Sequence, residues 1–362
     1  MTLLQRRSVL AGILATAAMA GAPGRGGAVA AELDSLKAAA DRKGLSFGSA
    51  IDPELLGDPN YVRLILAQCD TIVPRNSLKW NATERSPGRF DFGEADKVIR
   101  FAQQQRLAVR GTTLVWYRSP TWVGRLKTSE AVSDAMTRHI ATVMGRYTGK
   151  IASWDVVNEP FEYDKPQQRK SVFLDKLGEQ YFDVAFGAAR AADPKCQLVL
   201  NETHLYETGD VYSAKRAAVL ALLDRLLARK VPIDAVGVQG HVRPGLDRVD
   251  AEGFGGFCRD LKSRGLAVLL TELDASCRYI KRVPGFTPAG YGTPLADLVS
   301  IAHANGKLTS VISWGMSPYG LKPNEGTGPG NSCQYRVNLF DNDLRPLPTF
   351  DALRNSFDDL RS

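Results

Sequence analysis

The sequence predicts an α/β protein that folds as one closed (β/α)8 barrel. Strand-like apolar stretches alternate with helix-like amphipathic stretches along nearly the whole chain. Two of the strand-like stretches end abruptly in a glutamate, at Glu159 and Glu272. No Ser-, Pro- or Gly-rich linker divides the sequence, and 362 residues is an ordinary length for a single barrel.

Eight strands and the helices between them account for this pattern. The predicted strands cover residues 46–50, 70–74, 108–116, 151–158, 197–201, 235–239, 267–271 and 309–314. Helices are predicted over 32–43 and 347–360, and from near residues 59, 92, 130, 172, 210, 250 and 294. The glycine-rich stretch 320–331 lacks the spacing of a phosphate-binding loop and is predicted to form the loop after the last strand.

Residues 1–30 are typical of an export signal. Arg6 and Arg7 precede a short apolar stretch over 10–22, and small residues at 28–30 offer a cleavage site. The arginine pair resembles a bacterial twin-arginine signal. An ordinary secretory signal or a signal anchor is the alternative. In either case we expect residues 31–362 to form the catalytic domain of an exported protein, periplasmic or secreted.

The charge balance excludes some partners. Removal of residues 1–30 takes away three arginines and no acids, so the formal net charge falls from +7 to +4. Basic clusters with interleaved aromatic residues are missing, so nucleic acid is not an expected partner. No later segment is apolar enough to span a bilayer, and we expect no membrane association of the mature, monomeric protein.

The five cysteines show no paired spacing of the kind that binds zinc or carries out redox chemistry. Because export permits disulfides, Cys277 and Cys333 in predicted late loops are a candidate pair. Cys69, Cys196 and Cys258 lie in apolar segments and are expected to be buried thiols.

The two strand-end glutamates are the candidate catalytic residues. Residues 154–160 read WDVVNEP, in which the valines favour a strand and Pro160 ends it. Residues 266–274 read LAVLLTELD and repeat the arrangement. Barrel enzymes keep their chemistry at the carboxyl ends of the strands, and two carboxylates there indicate glycoside cleavage by paired acids.

These two motifs resemble the acid/base and nucleophile signatures of glycoside hydrolase family 10, the β-1,4-xylanases. Further matching motifs occur in order at 78–84 (LKWNATE), 88–92 (GRFDF), 109–116 (VRGTTLVW), 237–241 (GVQGH) and 314–315 (WG). The resemblance covers nearly the whole mature chain. It implies a (β/α)8 barrel that cleaves a β-linked polysaccharide such as xylan, with no metal and no organic cofactor.

The resemblance implies a role for each glutamate. Glu159 would protonate the leaving glycosidic oxygen and then deprotonate water, so it is the implied acid/base. Glu272 would attack the anomeric carbon as the nucleophile, at the separation of a retaining pair, about 5–5.5 Å. A structural salt bridge is the alternative for each, and two matched strand ends weaken that alternative.

The resemblance also implies substrate contacts. Asn158 would bond the 2-hydroxyl of the cleaved sugar, with a turn asparagine as the alternative. His241 would keep Glu272 aligned, and Trp314 would form an apolar floor under a sugar ring. Trp116 would act similarly or fill the barrel mouth. The remaining implied substrate-binding residues are Asn76, Lys79 and Gln239, whereas Trp154 is expected to pack in the core and His139 and His303 to be structural.

Four positions depart from the family pattern. Arg75 stands where the family carries a glutamate, and Tyr117 where it carries a histidine. Glu202 replaces an aspartate that is expected to support the equivalent of His241. A second tryptophan expected shortly after Trp314 is missing.

Because both glutamates are retained, the departures predict an active enzyme with an altered sugar preference. Arg75 and Arg118 would favour an acidic substituent such as a uronic acid, or alternatively each pairs with a local acid. The first hypothesis is a retaining endo-β-1,4-glycanase, in particular a xylanase. One alternative is a hydrolase or transglycosylase for an acidic bacterial exopolysaccharide, and another is a glycan-binding protein on an inactive barrel.

Overall fold

The computed structural model describes residues 35–243, 248–276, 290, 292–318 and 336–361. Eight parallel strands form the barrel, and pairing of the first strand with the last one closes it. The predicted (β/α)8 barrel is therefore confirmed. The barrel strands are Ser46–Ile51 (β1), Thr71–Pro74 (β2), Ala108–Gly111 (β3), Ser153–Asn158 (β5), Gln197–Glu202 (β6), Ala235–Val242 (β7), Ala267–Ser276 (β8) and Leu308–Ser313 (β9). Two short strands are added, Val115–Trp116 (β4) on β5 and the antiparallel Arg336–Val337 (β10) on β8.

The helices begin close to the predicted positions. Several start signals are visible in the structure, such as Asp58, whose carboxylate accepts from the backbone N–H groups of Asn60 and Tyr61. The helices are Leu36–Asp41 (α1), Pro59–Gln68 (α2), Trp80–Thr83 (α3), Gly93–Gln105 (α4), Ser129–Arg146 (α5), Val172–Leu177 (α6), Gln180–Ala192 (α7), Asp210–Ala228 (α8), Ala251–Ser263 (α9), Gly292–Asn305 (α10) and Pro348–Asp358 (α11). Among the described residues, no helix combines the length and apolar character needed to cross a membrane.

Two predicted elements are each divided in the structure. The strand predicted over 108–116 is interrupted after Gly111, because Thr113 Oγ1 and the N–H of Leu114 both donate to the carbonyl of Asp155 instead of continuing the ladder. The helix predicted from residue 172 stops at Gly178, whose φ of +57° favours glycine, and α7 then begins.

Trp154 packs in the core, as predicted. Its side chain is buried, and a Cβ at Gly111 would lie 2.4 Å from its ring atoms. Gly111 therefore allows the close approach of the indole to β3.

A buried cluster fixes the loop after β2. Glu84 accepts hydrogen bonds from Trp80 Nε1 (2.9 Å) and from the backbone N–H of Gly88 (2.8 Å). His139 on α5 stacks on the Trp80 ring at 4.1 Å between centroids. Burial lowers the pKa of His139, which agrees with its predicted structural role. This cluster anchors the segment that carries Lys79.

The cysteine predictions have separate outcomes. Cys69, Cys196 and Cys258 are buried free thiols, as predicted. Cys277 and Cys333 lie outside the described residues.

An ion pair between Arg110 on β3 and Asp155 on β5 is almost completely buried, with 3% and 0% of the two side chains exposed. The guanidinium binds both carboxylate oxygens, and the Nη1–Oδ2 distance is 2.7 Å. Burial raises the pKa of Asp155, while the charge and hydrogen bonds of Arg110 oppose that rise.

We expect Arg110→Met to lower the free energy of unfolding by about 3–5 kcal/mol, because it leaves the buried carboxylate of Asp155 uncompensated. Urea unfolding monitored by tryptophan fluorescence measures the loss. The double variant Arg110→Met/Asp155→Leu should recover most of it.

The matched control is Arg42→Met, which breaks an exposed ion pair with Asp358 whose side chains are 46% and 40% exposed. This change should lower the free energy of unfolding by less than about 1 kcal/mol. A loss in Arg110→Met no larger than that of the control would mean that the buried pair contributes little to stability.

Candidate active site

The two strand-end glutamates have unusual backbone conformations. Glu159 follows the last residue of β5 and has a φ of +50°, and Glu272 lies in β8 with a φ of +59°. The pairing of β8 with β9 shifts register around Glu272, between Leu270 and Leu273. Left-handed φ values are costly for residues other than glycine and tend to occur at functional sites. The sequence did not indicate this strain.

A network of buried side-chain amides links the two carboxyl groups. Asn201 Nδ2, at the end of β6, donates to Glu272 Oε1 (2.9 Å) and to Asn158 Oδ1 (2.8 Å). Gln239 Nε2 lies 3.2 Å from Asn158 Oδ1 and 3.3 Å from Glu159 Oε1. Both glutamates therefore face the same end of the barrel, and each is 7% exposed.

Asn201 is a site residue that the motif analysis missed. Its Oδ1 accepts from Thr271 Oγ1 at 2.7 Å, which orients the amide. A Cβ at Gly237 would lie 2.3 Å from the same oxygen, so this glycine makes room for the side chain. The position of Asn201 at the carboxyl end of a predicted strand was the available signal.

Glu272 is held in its ionised form. Its Oε2 lies 3.0 Å from His241 Nε2, and Asp274 Oδ1 lies 2.8 Å from the other imidazole nitrogen. Burial lowers the pKa of His241, but the opposite effect of Asp274 and Glu272 is larger and raises this pKa to about 9. The imidazole is therefore a cation at neutral pH. Burial likewise raises the pKa of Glu272, but His241, Lys79 and Asn201 outweigh it and leave this pKa below its usual value.

The expectation that the Glu202 position supports His241 is wrong. Asp274, two residues after Glu272 on the same strand, makes that contact. Glu202 is buried and accepts from Lys215 Nζ (3.1 Å) and from the backbone N–H of Phe161 (2.9 Å). Its carboxylate thus anchors the loop that follows Glu159.

Lys79 stands between two indoles and close to both glutamates. Its Nζ donates to Asn76 Oδ1 at 2.8 Å and lies 5.2 Å and 6.0 Å from the ring centroids of Trp116 and Trp314. Burial lowers the pKa of Lys79, whereas the charges of Glu272 and Glu159 raise it. Asn76 is exposed, Trp116 is partly exposed and Trp314 is 7% exposed with its ring edge-on to His241.

The two arginines proposed to recognise an acidic substituent differ in their surroundings. Arg75 is 5% exposed and pairs with Asp52, with its Nε 3.0 Å from Oδ2, so the alternative of a local acid applies to it. Arg118 is exposed, and its guanidinium lies over the rings of Trp116 (5.1 Å) and Tyr117 (5.4 Å). Within the described ranges, no ion pair of Arg118 with an acid is found.

Tyr117 takes part in a hydrogen-bonded contact with the acid/base candidate. Its hydroxyl lies 3.3 Å from that of Tyr163, and Tyr163 donates to Glu159 Oε2 at 2.9 Å. The ring of each tyrosine packs on the guanidinium of Arg169, which is 8% exposed. Sequence reasoning missed Tyr163 and Arg169, because both lie in the irregular segment between β5 and α6.

The arrangement brings two unlike carboxyl groups to one end of the barrel. Glu272 is ionised by a neighbouring cation, whereas the hydrogen bonds to the Glu159 carboxyl come from neutral amides and a phenol. Such a pair can supply a nucleophile and a proton donor. In the part of the chain that the structure describes, no group of three or more His, Cys, Asp or Glu side chains could hold a metal ion.

Comparisons with known proteins show which family the chain is similar to. The family model for glycosyl hydrolase family 10 matches residues 35–356. Endo-1,4-beta-xylanase 3 of Hypocrea jecorina is 32% identical over 320 residues, which are 86% of this chain and 82% of that protein. An endo-1,4-beta-xylanase of Agaricus bisporus is 36% identical over 317 residues, 85% of this chain and 90% of that one.

The fold is also similar to that of solved xylanases. The crystal structure of xylanase 10B from Thermotoga petrophila RKU-1 in complex with xylobiose superimposes with a TM-score of 0.78 at 26% identity, over 90% of this chain and 98% of that one. The match of the family model over nearly the whole described barrel, together with the paired strand-end glutamates, establishes that the chain belongs to glycosyl hydrolase family 10.

Proposed function

We propose that the protein is a retaining endo-β-1,4-glycanase that hydrolyses xylan-type polysaccharide by double displacement. The observation that carries the proposal is the pair of hydrogen bonds that Glu272 makes with Asn201 and His241, while Glu159 joins the same amide network through Gln239 and has the Arg169 guanidinium 4.0 Å away. The xylanase names of the relatives support xylan as the substrate.

In the first step, the Glu272 carboxylate attacks the anomeric carbon and forms a glycosyl-enzyme ester. The bond to the leaving oxygen breaks as Glu159 gives that oxygen its proton. In the second step, Glu159 takes a proton from water, and the resulting hydroxide oxygen attacks the anomeric carbon and releases Glu272. Two inversions retain the configuration.

The hydrogen bonds around Asn158 leave one donor for the substrate. Its Oδ1 accepts from Asn201 and Gln239, whereas within the described part of the chain its Nδ2 has only a 3.4 Å contact with Glu159 Oε1. The Nδ2 group can therefore donate to the 2-hydroxyl of the sugar at the cleavage site, a contact that strengthens in the transition state.

The glycone side of the site combines polar and aromatic groups. Lys79 and Asn76 offer donors to sugar hydroxyls. We assign the floor under a pyranose ring to Trp314, of which 7% is exposed. Trp116 lines the pocket beside Glu159. No step of this mechanism needs a metal or an organic cofactor.

We also propose that residues 1–30 direct export to the periplasm or the medium, and that the mature enzyme, residues 31–362, acts as a monomer. The arginine pair and the apolar stretch in the sequence support export.

A second candidate substrate is an acidic polysaccharide such as a bacterial exopolysaccharide. Arg118 favours it, because this arginine is exposed and lies next to the pocket that Glu159 and Tyr117 line. A glycan-binding role without turnover is less well supported, since both carboxyl groups and the network between them are present.

The leaving-group dependence of two variants tests the assigned roles. In Glu159→Ala, kcat/KM should fall by about 10²–10⁴ on xylan but far less on aryl xylobiosides with activated leaving groups, which need no proton. In the matched variant Glu272→Ala, both kinds of substrate should lose nearly all turnover. Equal losses in Glu159→Ala on the two substrates would contradict the acid/base role.

Replacement of the cation beside the nucleophile should change the pH profile. In His241→Gln, we expect the acidic limb of kcat/KM to move up by about one pH unit, because Glu272 loses the charge that lowers its pKa. The control is His303→Gln on the outer helix α10. An acidic limb that does not move in His241→Gln would contradict the assignment of Glu272.

A substrate comparison tests Arg118. In Arg118→Gln, the ratio of kcat/KM for uronic-acid-substituted over unsubstituted xylo-oligosaccharides should fall about tenfold, because a charge-assisted bond is lost. Arg259→Gln on α9, where the arginine bonds Asn305, is the control. An unchanged ratio in Arg118→Gln would leave unsubstituted xylan as the preferred substrate.

A further inference from the structure

A chain of hydroxyl hydrogen bonds ends on the acid/base candidate. Arg118 Nε lies 2.9 Å from the hydroxyl of Tyr117, that hydroxyl lies 3.3 Å from the hydroxyl of Tyr163, and Tyr163 lies 2.9 Å from Glu159 Oε2. Among the described residues, Tyr163 makes the shortest hydrogen bond to the Glu159 carboxyl, since those from Gln239 and Asn158 are 3.3 Å and 3.4 Å long.

The hydrogen bonds in this series all point from Arg118 towards Glu159. Arg118 Nε can only donate, so the Tyr117 oxygen accepts from it and the Tyr117 proton is free to point to Tyr163. Tyr163 then directs its own proton to the carboxylate. A charged donor at the start polarises each following hydroxyl, which strengthens the last hydrogen bond of the chain.

The tyrosines are held by a guanidinium. Arg169 lies 4.1 Å and 4.3 Å from the ring centroids of Tyr163 and Tyr117. Its Nε donates to the carbonyls of Glu159 (3.2 Å) and Phe161 (3.1 Å), so the arginine is fixed to the backbone next to the acid. Although Tyr163 is 40% exposed, its ring is therefore positioned from one side.

We infer that Tyr163 is a positioning residue which, with Tyr117 and Arg118, stabilises the ionised carboxylate of Glu159 that acts as the base in the second step. The inference rests on the proposed function of Glu159. A hydrogen-bond donor to an ionised carboxylate favours the ionised form. The series of hydrogen bonds from Arg118 to Tyr163 therefore assists Glu159 in the removal of a proton from water. Removal of the Tyr163 hydroxyl should therefore weaken the preference for the ionised carboxylate.

Other charges also face Glu159, and the test has to leave them unchanged. They come from the segments after β2, β4 and β5 and from β6 and β8. These groups are Lys79, Arg118, Arg169 with its ion-pair partner Glu162, Glu202 and, across the amide network, Glu272. A tyrosine-to-phenylalanine change keeps the ring on Arg169 and removes only the hydroxyl.

The experiment compares pH profiles of Tyr163→Phe, Tyr117→Phe and the parent enzyme. In Tyr163→Phe, the alkaline limb of kcat/KM should rise by about 0.5–1 pH unit. On aryl xylobiosides with activated leaving groups, for which the second step limits turnover, kcat should fall about three- to tenfold. Tyr117→Phe should shift the limb in the same direction by a smaller amount.

The matched control is Tyr147→Phe, which removes a hydroxyl bonded to Asp96 at 2.8 Å on the outer helices. An alkaline limb in Tyr163→Phe that coincides with those of the parent and the control would overturn the inference and leave the function intact. If Glu159→Ala instead loses activity equally on all leaving groups, the function fails and the inference fails with it.

Discussion

The amide of Asn201 is the contact on which the arrangement of the site depends. It is a single buried group that reaches Glu272 directly and Glu159 through Asn158. Its orientation is set by Thr271 below and by the space that Gly237 leaves. Because a buried amide must satisfy its donors and acceptor, the four strands β5 to β8, which carry these residues, are fixed relative to one another, and the two carboxyl groups keep a fixed relation.

Two residues of the same type acquire different chemistry from their neighbours. Glu272 faces the imidazolium of His241, which hydrogen-bonds both Glu272 and Asp274, and the ammonium of Lys79. Both cations favour the ionised form of Glu272. Glu159 is bonded by amides and a phenolic hydroxyl, and its guanidinium neighbour Arg169 lies 4.0 Å away. In a nearly buried site, such differences in charge and donor type separate a nucleophile from a proton donor.

The departures from the family motif are compensated within the structure. Arg75 brings a cation where the family has an acid, and Asp52 neutralises it. Glu202 is paired with Lys215 and bonds the loop after Glu159. Tyr117, at the position where the family has a histidine, hydrogen-bonds the hydroxyl of Tyr163. The altered positions thus have local partners, and they change the groups around Glu159 and Glu272.

The amino-acid sequence by itself determined the barrel, the strand-end positions of Glu159 and Glu272 and the burial of Trp154, because alternating patterns and prolines act locally. It also pointed to His241 as a neighbour of Glu272. Only the tertiary structure decided that Asp274 rather than the Glu202 position supports that histidine, that Asn201 joins the two acids and that Tyr163 reaches Glu159. These contacts depend on side-chain directions and on the left-handed backbone at both glutamates, which arise from the packing of strands far apart in the chain.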